Sequence, residues 1–228
     1  MPLYWFAIKG NSAIRVGVNL LPLSVFLVPA SVVVGILIAK YGHVRWAAWM
    51  GWTIVVLAHG LTISWGLNAP TAQWAITIVV LGIGHGLVLN ALNFAIQAMA
   101  QPGGEAKAAA NYIFYRSFGM ALGVGIGGSA FQNIMQIQLD HYDLAPTTAR
   151  NAEVIMTEVW SNPQNEETRQ ILESYLYGLR GVYSLFCAAA GFALLLSFMI
   201  SRGDINKQLI TSHTTGRAEI IPDPNDGV

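Results

Sequence analysis

The chain has 228 residues, 54% hydrophobic and 11% charged, whereas soluble domains carry about 25% charged residues, so its composition is that of a membrane protein. Its 12 basic and 12 acidic residues cancel, which leaves no net field to attract nucleic acid. The single cysteine, Cys187, lies in an apolar run and excludes an intrachain disulfide.

Asp, Glu, Lys and Arg are absent from 16 to 39, 46 to 104, 117 to 139 and 181 to 201, and a spanning helix needs roughly 20 mostly apolar residues. In chain order, residues 1–15 open with a short apolar run and a polar turn, which reads as the end of a truncated helix and an external turn. The first span covers 16–39, and a separate signal peptide is not needed if it serves as the insertion signal. Spans two and three, 47–66 and 73–97, share the longest gap and are separated by "GLNAPT" at 66–71, where Asn68 and Pro70 interrupt the pattern. The fourth covers 112–136 and the fifth 181–201. Between them the segment 137–180 holds "NEETRQILESYLYGL", with Asn165 as N-cap and apolar residues at helical spacing, an amphipathic lid or an extension of the last span. Residues 202–228 are polar, contain Pro222 and Pro224, and read as a disordered tail.

Loops alternate sides. Lys40, Arg45, Lys107, Arg116, Arg202, Lys207 and Arg217 fall on one side, seven of the 12 basic residues, which makes that side and the C-terminus cytoplasmic by the positive-inside rule. The segment from Asp140 to Arg180, with its seven acidic residues, is then external.

Gly123-Val-Gly125-Ile-Gly127-Gly128 matches G-x-G-x-x-G, but a dinucleotide turn needs a strand before it and free backbone N–H groups after it. A spanning helix uses its N–H groups internally, so the nucleotide reading fails. Gly119, Gly123 and Gly127 instead fall every four residues on one face, the small-xxx-small pattern of close helix packing, with a flexible, bending helix as the alternative. Gly82, Gly86, Asn90, Asn93 and Gln97 form a second stripe on the third span. Either its amides line a substrate pathway or they make helix–helix hydrogen bonds. His59 and His85 are a candidate proton relay, with a neutral helix–helix hydrogen bond as the other reading. No nucleophile–base pair, paired carboxylate or metal cluster accompanies the spans, so an enzyme, a cofactor and a metal are not expected.

Four passages resemble the drug:proton antiporter-type major facilitator superfamily, fungal efflux pumps especially. "PLYWFAIKGNSAIRVGVNLLPL" is similar to its "PLYFQ…KG.S…GV.LLP" passage. Gly35-Ile-Leu-Ile-Ala-Lys40-Tyr-Gly42-His-Val-Arg45 resembles the second-half copy of its cytoplasmic loop motif, G-x-L-x-D-R-x-G-R-K. "GIGHGLVLNALNFAIQA" resembles its tenth helix and "RSFGMALGVGIGG" its eleventh. Ala39 stands at the motif's acidic position, and His43 and Val44 replace its basic pair, so the motif's charge relay does not carry over. What remains of Gly35, Lys40, Gly42 and Arg45 is a turn, read either as a gating hinge or as a positive-inside anchor.

The resemblance implies an all-α integral membrane fold: the C-terminal helical bundle of such a transporter, five complete transmembrane helices and an N-terminal helix stub. It also implies a multi-pass protein of the plasma membrane that exports small amphipathic compounds, coupled to protons, by alternating access against a missing N-terminal six-helix bundle. The expected partners are thus the lipid bilayer, a small-molecule substrate, protons and that bundle, and no nucleic acid. A non-transporting relic or partner-binding fragment is the alternative.

Overall fold

The computed structural model describes residues 1–101, 103–144, 159–160 and 165–200. Among these the fold is all-α: a π-helical segment, Tyr4–Ile8, followed by α1 (Ala13–Tyr41), α2 (Arg45–Ile63), α3 (Thr71–Met99), α4 (Glu105–His141) and α5 (Glu166–Ser197). The expected tail at 202–228 and part of the expected loop, 145–158 and 161–164, lie outside the described residues.

The chain's own punctuation sets the helix ends. Ser12 accepts a hydrogen bond from the Arg15 N–H and caps α1. Gly42, at φ 70°, closes α1 in the left-handed region that glycine enters without strain, its N–H donating to Ile38 O. Asn165 caps α5 through Glu167 N–H, and α5 then runs unbroken through Arg180, so the amphipathic stretch and the last span are one helix. Pro22 and Pro29 lie inside α1. Each removes one backbone donor, which a membrane helix tolerates where its neighbours compensate.

By length and composition α1, α2, α3 and α5 can each cross a membrane. Of the five expected spans, α4 is the one outside that group. It is 37 residues long, but Gly119, Gly123, Gly125, Gly127 and Gly128, with Gln132 and Asn133, dilute its apolar content.

α3 lies at the centre, against α1 on one side and α2 on the other, while α5 packs on α2 and α4. Glycines set these approaches. A Cβ at Gly82 would come 2.6 Å from Leu23 O of α1, and one at Gly86 2.5 Å from Leu27 O. Gly84, on the opposite side of α3, meets Ile54 and Val55 of α2, and Gly51 of α2 meets Val88 of α3. At one end an aromatic cluster of Tyr4, Trp5, Trp65, Tyr175 and Tyr183 packs with Met135 and Leu139. At the other, Val34, Ile38, Val44, Ala47, Ala91 and Ala95 form a second core. Large apolar side chains remain outside, Ile14, Val25 and Val32 on α1 and Phe114, Phe118 and Val124 on α4 among them. Water would not tolerate so extensive a patch; lipid or further helices do.

Overpacking the α1–α3 contact has a clear consequence. Gly82→Leu in the purified chain should lower thermal stability in detergent by about 1–3 kcal/mol, because backbone must move to admit the side chain. Gly123→Leu, with no atom within 4 Å of its Cβ position among the described residues, should leave it unchanged.

Candidate functional site

The stripe on α3 divides into two parts. Gly82 and Gly86 are consumed by backbone contact with α1. Next to them Asn90 Nδ2 donates to Ser31 O of α1 at 2.5 Å, beside Gly35. Further along, Gln97 Nε2 donates to Asn93 Oδ1 at 2.9 Å, both side chains half-buried. Tyr112 of α4 reaches the same region, its hydroxyl donating to Leu89 O at 2.9 Å. The glycine end and Asn90 are therefore tied to α1, and the Asn93–Gln97 pair is the part of the stripe held by its own helix.

α3 also brings the two histidines together. The His59 ring on α2 and the His85 ring on α3 have centroids 6.2 Å apart, and the Phe186 ring of α5 meets His59 edge-on at 6.3 Å. His59 Nδ1 lies 2.9 Å from Val55 O and His85 Nδ1 3.0 Å from Leu81 O. A carbonyl only accepts, so each Nδ1 carries the proton, and each Nε2 presents a lone pair. The arrangement can hold or pass a proton. Among the described residues no group of three or more His, Cys, Asp or Glu side chains is placed to hold a metal ion.

The α4 glycines behave differently from one another. Gly127 meets Phe186 and Val182 of α5, whereas Gly119 and Gly123 have no neighbour within 4 Å among the described residues. Among those residues the small face is used at its Gly127 end. Of the loop-motif residues, Gly35 packs on Asn90 and Phe94, Gly42 makes the turn, and Lys40 sits in the last turn of α1. Arg45 Nη2 reaches Phe198 O of α5 at 3.4 Å.

Sequence reasoning missed the residues that fasten the α2–α3 turn. Arg180 donates from Nε and Nη2 to Trp65 O at 3.1 and 2.9 Å. Tyr4 donates its hydroxyl to Gly66 O at 2.7 Å, and Lys9 its Nζ to Ala69 O at 3.2 Å. Burial lowers the Lys9 amine below its ordinary pKa, because the charged form loses water. In the sequence Arg180 stood out only as the residue that ends a charge gap. A cleft of about 400 Å³, lined by Asn68, Gln138, Tyr142, Glu173 and Arg180 among others, opens beside this turn.

These features define a class: a multi-pass, α-helical integral membrane bundle with polar side chains gathered on its central helix. No family model matches the chain, and no solved structure matches it. Curated relatives do. It is 35% identical over 215 residues to MFS transporter L2 of Phoma sp.. To the MFS efflux transporter aclA of Aspergillus oryzae it is 30% identical over 206 residues, and to the dehydrocurvularin exporter of Alternaria cinerariae 26% over 204. The matches cover 92%, 86% and 88% of this chain but 36%, 37% and 34% of those proteins. The chain is a part-length homologue of major facilitator superfamily transporters, and the coverage fits the C-terminal half of one.

Arg180 is expected to outweigh the exposed Arg169–Glu173 pair in stability. Arg180→Ala should cost about 1.5–3 kcal/mol, since a charged, part-buried donor is lost from a backbone carbonyl. Arg169→Ala should cost about 0.5 kcal/mol or less, as for a surface i,i+4 pair. Thermal unfolding of the two variants in one detergent measures the difference.

Proposed function

We propose that this chain forms the C-terminal bundle of a proton-coupled exporter of small amphipathic compounds, working by alternating access in the plasma membrane with its C-terminus cytoplasmic. The observation that carries the reading is the similarity to proteins named efflux transporter and exporter over nearly the whole chain. The open faces support it: α1 and α4 present apolar side chains and the uncovered Gly119 and Gly123, the surface a second bundle would cover. Superfamily carriers bind substrate between two such bundles near the midplane.

In this reading Asn93 and Gln97 offer substrate amide donors and acceptors, with Gly86 and Asn90 fixing their helix against α1. An amide recognises carbonyls and hydroxyls alike, which suits varied compounds. His59 and His85 supply the titratable pair. No Asp or Glu lies within α1, α2 or α3, so on those helices a relay has only the imidazoles to use.

Transport needs both bundles, because alternating access requires the opposite side of the cavity to close. In proteoliposomes with a pH gradient the purified chain should move no substrate above empty vesicles, whereas the chain co-expressed with the N-terminal half of MFS transporter L2 should show gradient-driven flux. In that pair Asn93→Ala should alter which substrates move, with folding intact. Coupled flux by the chain alone would contradict the two-bundle reading.

A further inference from the structure

The end of the bundle that holds the α1–α2 turn has a feature the transport reading does not use. An open cleft of about 810 Å³ lies between α1 and α2, lined by Leu37, Tyr41, His43, Arg45, Trp46 and Trp49. Arg45 stacks over the Trp49 ring, its Cζ 5.0 Å from the centroid, and Trp49 Nε1 is occupied by Ser197 O at 3.0 Å. His43 Nδ1 donates to Tyr41 O at 2.5 Å, which leaves Nε2 toward the surroundings. Lys40 Nζ lies 5.8 Å from the centroid of the Tyr41 ring, a residue of the cleft wall.

The charge here is unbalanced. No acidic residue occurs between Met1 and Gly104, and the one ion pair among the described residues, Arg169–Glu173, is on α5. Arg45 has a single carbonyl partner, and its buried Nε has no hydrogen-bond partner among the described residues. A guanidinium stacked on an indole in the wall of an open cleft, with a lysine nearby, is built to meet an oxyanion. Leu37, Tyr41 and Trp46 form an apolar and aromatic wall suited to the glycerol and upper acyl region of a lipid.

We infer that this cleft binds the headgroup of an anionic phospholipid of the leaflet that faces the α1–α2 turn, the phosphate meeting Arg45 and Lys40 and the chains lying along Leu37 and Trp46. Basic pockets between transmembrane helices hold anionic headgroups in this way. The assignment of that leaflet as cytoplasmic rests on the orientation proposed above; the binding itself does not.

The test is native mass spectrometry of the full chain with equal amounts of phosphatidylserine and phosphatidylcholine, and with inorganic phosphate added as competitor. The chain should retain phosphatidylserine preferentially. Arg45→Gln should cut that preference about fivefold, the factor given by ~1 kcal/mol for each basic residue at an anionic surface. Leu37→Trp fills the cleft while sparing Arg45, and should do the same if Arg45→Gln does not fold. Lys107→Gln, in the first turn of α4, should leave it unchanged. Equal retention of the two lipids, an undiminished preference in Arg45→Gln or Leu37→Trp, or full displacement by inorganic phosphate would overturn the inference. So would phosphatidylserine binding that appears only once Asp204, Glu219, Asp223 and Asp226 are neutralised, since the chain's own tail would then be the occupant. Cysteine labelling of Lys107→Cys in a Cys187→Ser chain in intact cells reads the orientation separately: labelling from outside would move the site to the other leaflet without touching the binding result.

Discussion

The structure depends on one contact, the backbone-close approach of α1 to α3 at Gly82 and Gly86. In lipid there is no hydrophobic drive to bring helices together, so association relies on close packing and on the polar groups it brings into reach. With Cβ atoms at those glycines α1 would stand off, and the Asn90 to Ser31 hydrogen bond, already short at 2.5 Å, would be lost. Gly84 and Gly51 perform the same service toward α2. α3 is thereby clamped on two sides, and the clamp puts His85 beside His59 and aligns Asn93 and Gln97 near Tyr112.

The two ends of the bundle are built differently. At the α2–α3 turn, aromatic rings fill the core and Tyr4, Lys9 and Arg180 saturate backbone carbonyls, so that end is closed by hydrogen bonds from sequence-distant side chains. At the α1–α2 turn the core is small and aliphatic, and Arg45 lines an open cleft. Among the described residues the Gly119 and Gly123 side of α4 has room for a close neighbour.

Much of this was legible in the sequence because charge is excluded from lipid. The four charge-free stretches fall on the five long helices, and "GLNAPT" lies between α2 and α3. Helix ends were less legible: α4 begins at Glu105 and α5 at Glu166, because a helix continues past the hydrocarbon boundary as long as its backbone bonds are satisfied. Which glycines pack was legible only in part. Spacing shows that a face is small, not what lies opposite. Of Gly119, Gly123 and Gly127, which read as a packing face, Gly127 meets α5, while Gly82 and Gly86, on a stripe read either as substrate-lining or as helix–helix contact, make the closest approaches to the backbone of another helix. Arg180 lay in the same blind spot, since its partner, Trp65 O, is a backbone atom 115 positions away.

The central claim is that the uncovered face of α4 is the seat of a second bundle. The most direct test is the oxygen accessibility of a nitroxide attached at Gly123→Cys, in a Cys187→Ser chain, in bilayers. The account predicts that the label is exposed to lipid-dissolved oxygen in the chain alone and becomes shielded when the chain is assembled with the N-terminal half of MFS transporter L2. A label already shielded in the lone chain, or equally accessible in both preparations, would contradict it.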